Sequence, residues 1–383
     1  MENIHRGFIV HSYADRRQDR LYLLGRLEDG RSFAVVERRW RPSLLIYEND
    51  LQRCPSTLPY SVLPTEIRSF DNREYLLELK FAAYSGRRAA AAALEEAGVR
   101  SPDIDNKAQD AFLISRGIRG PVQIQGKAQA GRLVDLVFLD PELSALKEFS
   151  PLRVPLRLCS IDIETEVKTG CILAIGFSVS IYGNTGSTEG KQSLVRLLEP
   201  GTCSVSSHEG LIFHRDEKSL LQTFLSDIAE ADPDVLTGWN FLDFDYPRLA
   251  ERCSFHRIPF TLGRSPEEAK FFPAASGSVP NDPSWPDRRY SAAALVPGRQ
   301  VIDALRVVRS GPKKLSGYTL ETAAREVLGS GKIIVSSGEK KIEDLEKLYC
   351  DDPLMFGEYC KRDAELVLEI LEKTGLFRLS LER

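Results

Sequence analysis

Apolar and polar residues alternate along the first 47 positions, with Phe8 and Val10, Leu21 and Leu23, Phe33 and Val35, and Leu45 and Tyr47 each two apart. That period buries one face of each run, so an antiparallel meander is predicted, with Asp29-Gly30 as a tight turn between two of its strands. Residues 53–65 carry Pro55, Pro59 and Pro64 and read as an irregular connection. A strand over 76–84, an alanine-rich helix over 87–97 closed by Gly98, a short helix over 110–117, and strands over 122–125 and 133–139 follow. Pro141, Pro151 and Pro155 then interrupt the pattern. A domain boundary is placed there, which makes residues 1–150 a smaller α+β amino-terminal domain and residues 151–383 a second domain.

Beyond the boundary the apolar runs lengthen. Those over 158–164, 172–181 and 193–198 predict three adjacent antiparallel strands. Leu220, Leu221, Phe224, Leu225 and Ile228 share one face of a helix over 217–231, and 235–239 is a fourth strand. Residues 263–298 hold Pro266, Pro273, Pro280, Pro283, Pro286 and Pro297 without a sustained period and read as a long surface loop or a partly disordered insertion. A strand at 300–302 and helices over 319–328 and 355–373 complete the region, with no internal repeat and no heptad.

At 383 residues, 42% hydrophobic and 28% charged, the chain suffices for two or three domains with real cores, so a disordered class is excluded. The start M-E-N-I-H-R-G-F has no secretory apolar run, and no tract is long enough to span a membrane, so a cytoplasmic location and no membrane partner are expected. Seven cysteines without a C-x-x-C pair, and only five histidines, offer no zinc-ligand spacing and read as reduced thiols. The net charge of -4 weighs against a nucleic-acid partner without removing it, because carboxylates gathered at a metal site lower the net charge.

Candidate chemistry begins in L-C-S-I-D-I-E-T-E-V, residues 158–167, where Asp162 and Glu164 lie on one face of an apolar strand. Two neighbouring anions there repel and resist desolvation, so they persist cheaply when a cation joins them, most simply a divalent metal. The alternative is a solvated strand end; Asp-x-Glu arises by chance, and Asp363-Ala-Glu365 is a second instance. In residues 232–246 a strand ends at Gly238 and Trp239, with Asn240, Asp243 and Asp245 where a helix starts. Strand ends of α/β sheets assemble sites, although Asn and Asp also cap helices, and capping is the role expected of Asp243. Tyr359 and Asp363, four apart, share a helix face close to the stripe Leu366, Val367 and Ile370, so Asp363 turns toward the core and needs a partner.

In this order S-I-D-I-E-T, G-W-N-x-x-x-F-D and Y-x-x-x-D closely resemble the three exonuclease motifs of the family B DNA polymerases. The resemblance extends through G-R-Q-V-I-D-A-L at 298–305, Y-T-L-E-T-A-A-R-E-V-L-G at 318–329, and the run from Asp103 to Gly120, and is nearest to the bacterial DNA polymerase II group. It implies an α/β, RNase H-like 3′-5′ exonuclease domain, a mixed sheet flanked by helices, at 151–383, and an amino-terminal domain of family B type at 1–150. It implies that Asp162, Glu164, Asp245 and Asp363 are metal ligands for two Mg²⁺ or Mn²⁺ ions and that Tyr359 assists the attacking water, with supporting substrate roles for Asn240 and Phe241 near an unpaired 3′ end. For the last two, capping and core packing remain the alternative reading. Asp303 matches a structural position and is not expected to be a ligand.

The activity implied is 3′-5′ proofreading hydrolysis of single-stranded or frayed DNA ends, within a parent that is a DNA-directed DNA polymerase. The implied partners are single-stranded or primer-template DNA, the carboxy-terminal polymerase domains and a sliding clamp. Palm, fingers and thumb motifs do not occur before Arg383, and the final L-F-R-L-S-L-E-R resembles the run into the palm, so a fragment is expected over a stand-alone exonuclease. A non-catalytic DNA-binding or scaffold module, and an exonuclease acting on RNA, are the competing readings. Two basic clusters, Arg306, Arg309, Lys313 and Lys314, and Arg38, Arg39 and Arg41 around Trp40, meet either a phosphate backbone or only solvent.

Overall fold

The computed structural model describes residues 3–15, 17–146, 154–182, 190–201, 208–274, 291–329, 331, 339–377 and 380, with side chains from 343 onward in the helix that begins at 339. The chain divides into two compact units, Met1–Val154 and Pro155–Arg383.

The first unit opens with β1 (Ile4–Asp15), β2 (Arg20–Leu27), β3 (Ser32–Glu37) and β4 (Ser43–Tyr47). The next elements are β5 (Tyr60–Arg68), β6 (Tyr75–Phe81), α1 (Tyr84–Glu96) and α2 (Ala108–Ser115). It closes with β7 (Pro121–Gln125), β8 (Ala128–Ala130), β9 (Leu136–Leu139) and β10 (Glu142–Ala145). The alternating residues of β1, β2 and β3 do form an antiparallel meander, inside a sheet ordered β10-β7-β1-β2-β3-β9-β8. The fourth run does not join it. β4 pairs with β6 in a separate sheet ordered β4-β6-β5, whose buried Leu44, Ile46, Leu79 and Phe81 pack under Ala90 and Leu94 of α1. The proline-marked stretch is also a strand in part, because β5 lies at the edge of that sheet and an edge position tolerates Pro64.

The second unit holds β11 (Leu156–Thr165), β12 (Ile172–Tyr182), β13 (Gln192–Leu198), β14 (Leu211–His214), α3 (Glu217–Ala231), β15 (Val235–Gly238) and α4 (Asp245–Phe255). It continues with β16 (Lys270–Phe272), β17 (Ala293–Leu295), β18 (Gln300–Asp303) and α5 (Ala304–Ser310). Its last helices are α6 (Leu320–Leu328), α7 (Glu339–Asp351) and α8 (Pro353–Thr374). Its sheet runs β14-β13-β12-β11-β15-β18, with β11, β12 and β13 antiparallel as expected and β15 and β18 parallel to β11. One face carries Cys159, Ile161, Ile175 and Phe177 against Leu220 and Phe224 of α3 and Leu249 of α4. The other carries Ala174, Val195 and Leu197 against Phe356, Tyr359 and Cys360 of α8. A sheet buried on both faces explains why these strands read as continuous apolar runs. The proline-rich stretch is not a free loop at its ends, since β16 and β17 pair antiparallel; residues 275–290 lie outside the described residues.

Ion pairs fasten this sheet to its helices. Arg264, fully buried, donates to Asp232 at 2.7 Å and to Asp234 at 2.8 Å, and Asp234 accepts from the Arg157 amide at the start of β11. Glu217, in the first turn of α3, accepts from the Ile172 amide and Arg252 Nε, both at 2.8 Å, and lies 2.7 Å from His256 Nε2. Burial works against its charge, but the Arg252, Ile172 and His256 contacts prevail and hold its carboxyl down at about 2. A carboxyl depressed by folding stabilises the fold fully above its ordinary pKa of 4.5, and that contribution is lost as pH falls toward about 2. Glu217→Gln strands a buried guanidinium and should cost about 3–5 kcal/mol at neutral pH. Melting curves between pH 5 and about 2 should show a flatter acid limb for the variant than for the parent chain; superimposable limbs would mean that Glu217 does not link the fold to pH.

Candidate metal centre

Asp162 and Glu164 lie opposite Gly176 and Ala174 across the β11–β12 ladder, while Ile161 and Ile163 fill the core against α3 and α4. The face bearing the carboxylates is the one covered by α8, which is preceded by Asp352, whose side chain accepts from the Met355 amide at 3.0 Å as a cap. Two glycines let this helix come close. A Cβ on Gly176 would sit 2.7 Å from the Cys360 carbonyl oxygen and 2.9 Å from its sulfur, and one on Gly357 would sit 2.7 Å from Leu197 and Leu211 side-chain carbons. Backbone therefore rests nearly on backbone where Asp162 stands beside Gly176. The Cys360 thiol lies 3.5 Å from the Asp162 carbonyl oxygen and 3.7 Å from its carboxylate.

One turn along α8, Asp363 is 2% exposed, and its ligand oxygen lies with those of Asp162 and Glu164 within 4.8 Å of one another. Tyr359, fully buried, donates its hydroxyl hydrogen bond to Asp363. Burial, then Asp363, Glu164 and Asp162, push the Tyr359 phenol well above its ordinary range. Asp245 arrives from the other face of the sheet. β15 runs beside β11 only as far as Thr237 opposite Ser160, so the Ile163 amide has no strand partner there, and Asp245 Oδ1 accepts its hydrogen bond at 3.1 Å. Burial raises the Asp245 carboxyl well above its usual range; the Ile163 amide opposes that shift, and Glu164 and Asp303 add to it. Among the described residues the close group is Asp162, Glu164 and Asp363, and Asp245, outside that group, is tied to the same strand through the Ile163 amide and feels the Glu164 charge.

Hard oxygen donors gathered this closely, with strong mutual repulsion and little solvent around Asp363, fit a divalent cation. Cys360 is an unsuitable ligand in its present state, because burial and then Asp162 hold the thiol firmly protonated.

The other expected residues take structural positions. Asn240 adopts a left-handed conformation with φ of 62°, and its carbonyl accepts from the Asp243 and Phe244 amides. Phe241 is fully buried against Tyr246 at a ring-centroid distance of 5.8 Å. Asp243 does not cap α4, which starts after Phe244 without a side-chain cap; its carboxylate instead pairs with Arg306 at 2.8 Å. Asp303 caps α5 and also accepts from the Leu242 amide at 3.0 Å. Lys313 and Lys314 donate to the Glu326 and Arg309 carbonyls, and the Arg309 guanidinium lies 5.4 Å from the Tyr318 ring centre. Gly176 and Cys360 were not singled out in the sequence. The signal for Gly176 was a lone glycine inside an apolar strand, the mark of a close backbone approach.

Comparison with known proteins places the chain in a family. The family model described as the DNA polymerase family B exonuclease domain matches residues 111–323. DNA polymerase II of Escherichia coli strain K12 is 29% identical over 295 residues, covering 76% of this chain and 33% of that protein. The DNA polymerase delta catalytic subunit of Caenorhabditis elegans is 30% identical over 228 residues, covering 57% of this chain and 20% of its own length. The chain thus spans about a third or less of these curated relatives. The solved family B DNA polymerase of the archaeon Pyrobaculum calidifontis superposes with a TM-score of 0.65 at 19% identity over 98% of this chain and 46% of that one, a likeness of fold.

Divalent ions should therefore bind at a measurable, site-specific gain in stability. Mn²⁺ at roughly a hundred times its dissociation constant should stabilise the chain by about 2.7 kcal/mol, read as a higher melting temperature. Asp363→Asn should abolish that rise and, by relieving like-charge repulsion, leave the metal-free protein at least as stable. Gly176→Ala should lower metal-free stability by about 1–3 kcal/mol through overpacking and shrink the Mn²⁺ effect as α8 is displaced. An undiminished rise with Asp363→Asn would put the ion elsewhere.

Proposed function

This chain belongs to the family B DNA polymerases through their exonuclease domain, and from that premise we propose that it removes nucleotides hydrolytically from DNA 3′ ends. The observation that supports this most is the meeting of Asp162, Glu164 and Asp363 within 4.8 Å, although Asp363 lies some two hundred residues after the others. In this reading Asp162, Glu164, Asp363 and Asp245 hold two Mg²⁺ or Mn²⁺ ions. Such ions, when bound, neutralise charge on the phosphate oxygens, lower the pKa of an attacking water and stabilise the departing 3′-oxygen.

The chain's own residues do the positioning. Asp162 and Glu164, fixed on the central strand, define one side of the centre, and Asp363 closes it from α8. Asp245 ties α4 to β11 through the Ile163 amide, so the fourth carboxylate is set by a backbone bond and not by a loop. Tyr359 stays protonated, because its burial opposes a phenolate. It therefore orients a water by hydrogen bonding and does not take its proton, which passes to solvent. The water oxygen forms the new bond to phosphorus, the bond from phosphorus to the 3′-oxygen breaks, that oxygen takes up a proton from solvent to become the new 3′-hydroxyl, and a nucleoside 5′-monophosphate leaves.

The parent protein is proposed to be a DNA-directed DNA polymerase whose further domains present primer-template DNA, with single-stranded or frayed ends reaching this centre and a sliding clamp as a further partner. Residues 1–150 are then its amino-terminal domain and 151–383 its editing domain. Among the described residues no helix is long and apolar enough to cross a membrane.

A labelled single-stranded DNA oligonucleotide should be shortened from its 3′ end only in the presence of Mg²⁺ or Mn²⁺. Asp162→Ala should reduce the rate by at least about 10²–10³-fold, and Tyr359→Phe by less, since the ions remain in place. Hydrolysis retained by Asp162→Ala would overturn the assignment. DNA binding without metal-dependent turnover in the parent chain would favour a binding module, and faster cleavage of a matched RNA would favour a ribonuclease.

A further inference from the structure

The unit Met1–Val154 contains a cavity of about 570 Å³ whose wall includes Arg39, Arg41, Lys80 and Arg116, with Glu37 and Glu142 as its acidic members. The cations are not balanced by those acids. Glu37 is 4% exposed, and its Oε1 accepts from the Arg39 and Trp40 amides at 2.7 and 2.9 Å, so it serves the backbone of the loop. Among the described residues none of the four cations forms an ion pair with a carboxylate, whereas the adjacent Arg38 pairs with Asp140 at 2.5 Å.

Three of the four are nonetheless held in place by carbonyl or ring partners, and the wall carries four cations against two acids. Arg39 donates to the Asp140 carbonyl, Arg41 Nη1 donates to the Arg38 carbonyl at 2.9 Å, and the Arg116 guanidinium lies 3.8 Å from the Phe112 ring centre. Trp40, also in the wall, is braced edge-on against Phe112 at 5.4 Å, so its position is fixed by the core. Donors positioned in advance around a concave surface of net positive charge lose little freedom when an anion binds. The volume is far larger than a bare oxyanion needs and falls in the range of small-molecule sites, and the half-buried indole supplies apolar surface for a ring.

We propose that this cavity binds a phosphate ester of nucleotide size, with the phosphate on Arg39, Arg41, Lys80 and Arg116 and the ring beside Trp40. The ester is supplied either by a free nucleotide or by one unit of a single strand. The proposal does not rest on the exonuclease reading, since every residue involved lies in the unit Met1–Val154.

The test uses the full 383-residue chain in EDTA, where the acidic centre holds no ion and repels phosphate. Binding of dTDP by calorimetry and of short fluorescein-labelled oligo(dT) by anisotropy would be compared for the parent, Arg41→Gln, Lys80→Gln, and Arg73→Gln, an exposed control outside the cavity. Arg41→Gln and Lys80→Gln should each weaken binding by about tenfold or more, with unchanged melting temperature and exonuclease rate, while Arg73→Gln binds like the parent. Loss in the dTDP arm identifies a nucleotide site, and loss with oligo(dT) alone identifies a strand site. Equal affinity of all four proteins, no binding by the parent, or an equal loss with Arg73→Gln would overturn the proposal.

Discussion

The centre depends on how closely one helix approaches one strand. At Gly176 no side chain separates α8 from β12, and the Cys360 carbonyl occupies the space where a Cβ would stand. A side chain there would lift the helix and carry Asp363 and Tyr359 away from β11, whose Asp162 is the cross-strand neighbour of that glycine. Gly357 makes the same concession from the helix side, against Leu197 and Leu211. The apolar contacts of Phe356, Tyr359 and Cys360 with β12 and β13 then supply the burial that presses the two together. Hydrophobic packing thus drives carboxylates into mutual repulsion, and the repulsion is what a cation would relieve.

The sheet's end provides the second constraint. Because β15 stops beside Ser160, the last residues of β11 extend past their parallel neighbour with unpaired amide positions, and Asp245 takes the one at Ile163. The same strand end turns through Asn240 in a left-handed conformation, packs Phe241 into the core, and launches α4. Asp303, one strand further out, holds the Leu242 amide and so fixes that turn from the other side. The motif residues that do not face the cluster position those that do.

These relations explain what could be read from the chain in advance. Periodicity located β1, β2 and β3, the antiparallel β11, β12 and β13, and the amphipathic helix α3, and it put Asp162 and Glu164 on one face, because those are local properties of a period. It could not join them to Asp363, since nothing local to residue 363 says which strand its helix covers; the resemblance of three ordered motifs supplied that link. Local chemistry also misled where tertiary pairing overrode it. Pro64 suggested a break but lies in an edge strand, Asp243 suggested a cap but pairs with Arg306, and β4 alternated like its predecessors yet belongs to another sheet. The prolines after Arg264 suggested a free loop, but the ends of that segment are held by the β16–β17 pair and by buried Arg264 and Arg299.

Net charge was the least informative number, and the structure shows why. An overall value of -4 argued mildly against a phosphate-bearing partner, yet the charges are segregated by environment. Acidic groups converge beside α8, where a cation would reverse the local field, and Arg252 and Arg264 are spent on carboxylates inside the fold. The cations around Trp40 differ in being braced by carbonyls and a ring, which orient a guanidinium without cancelling its charge. What a charged side chain offers to a ligand is therefore set by its partner: a carboxylate neutralises it, whereas a carbonyl or an aromatic face keeps it available.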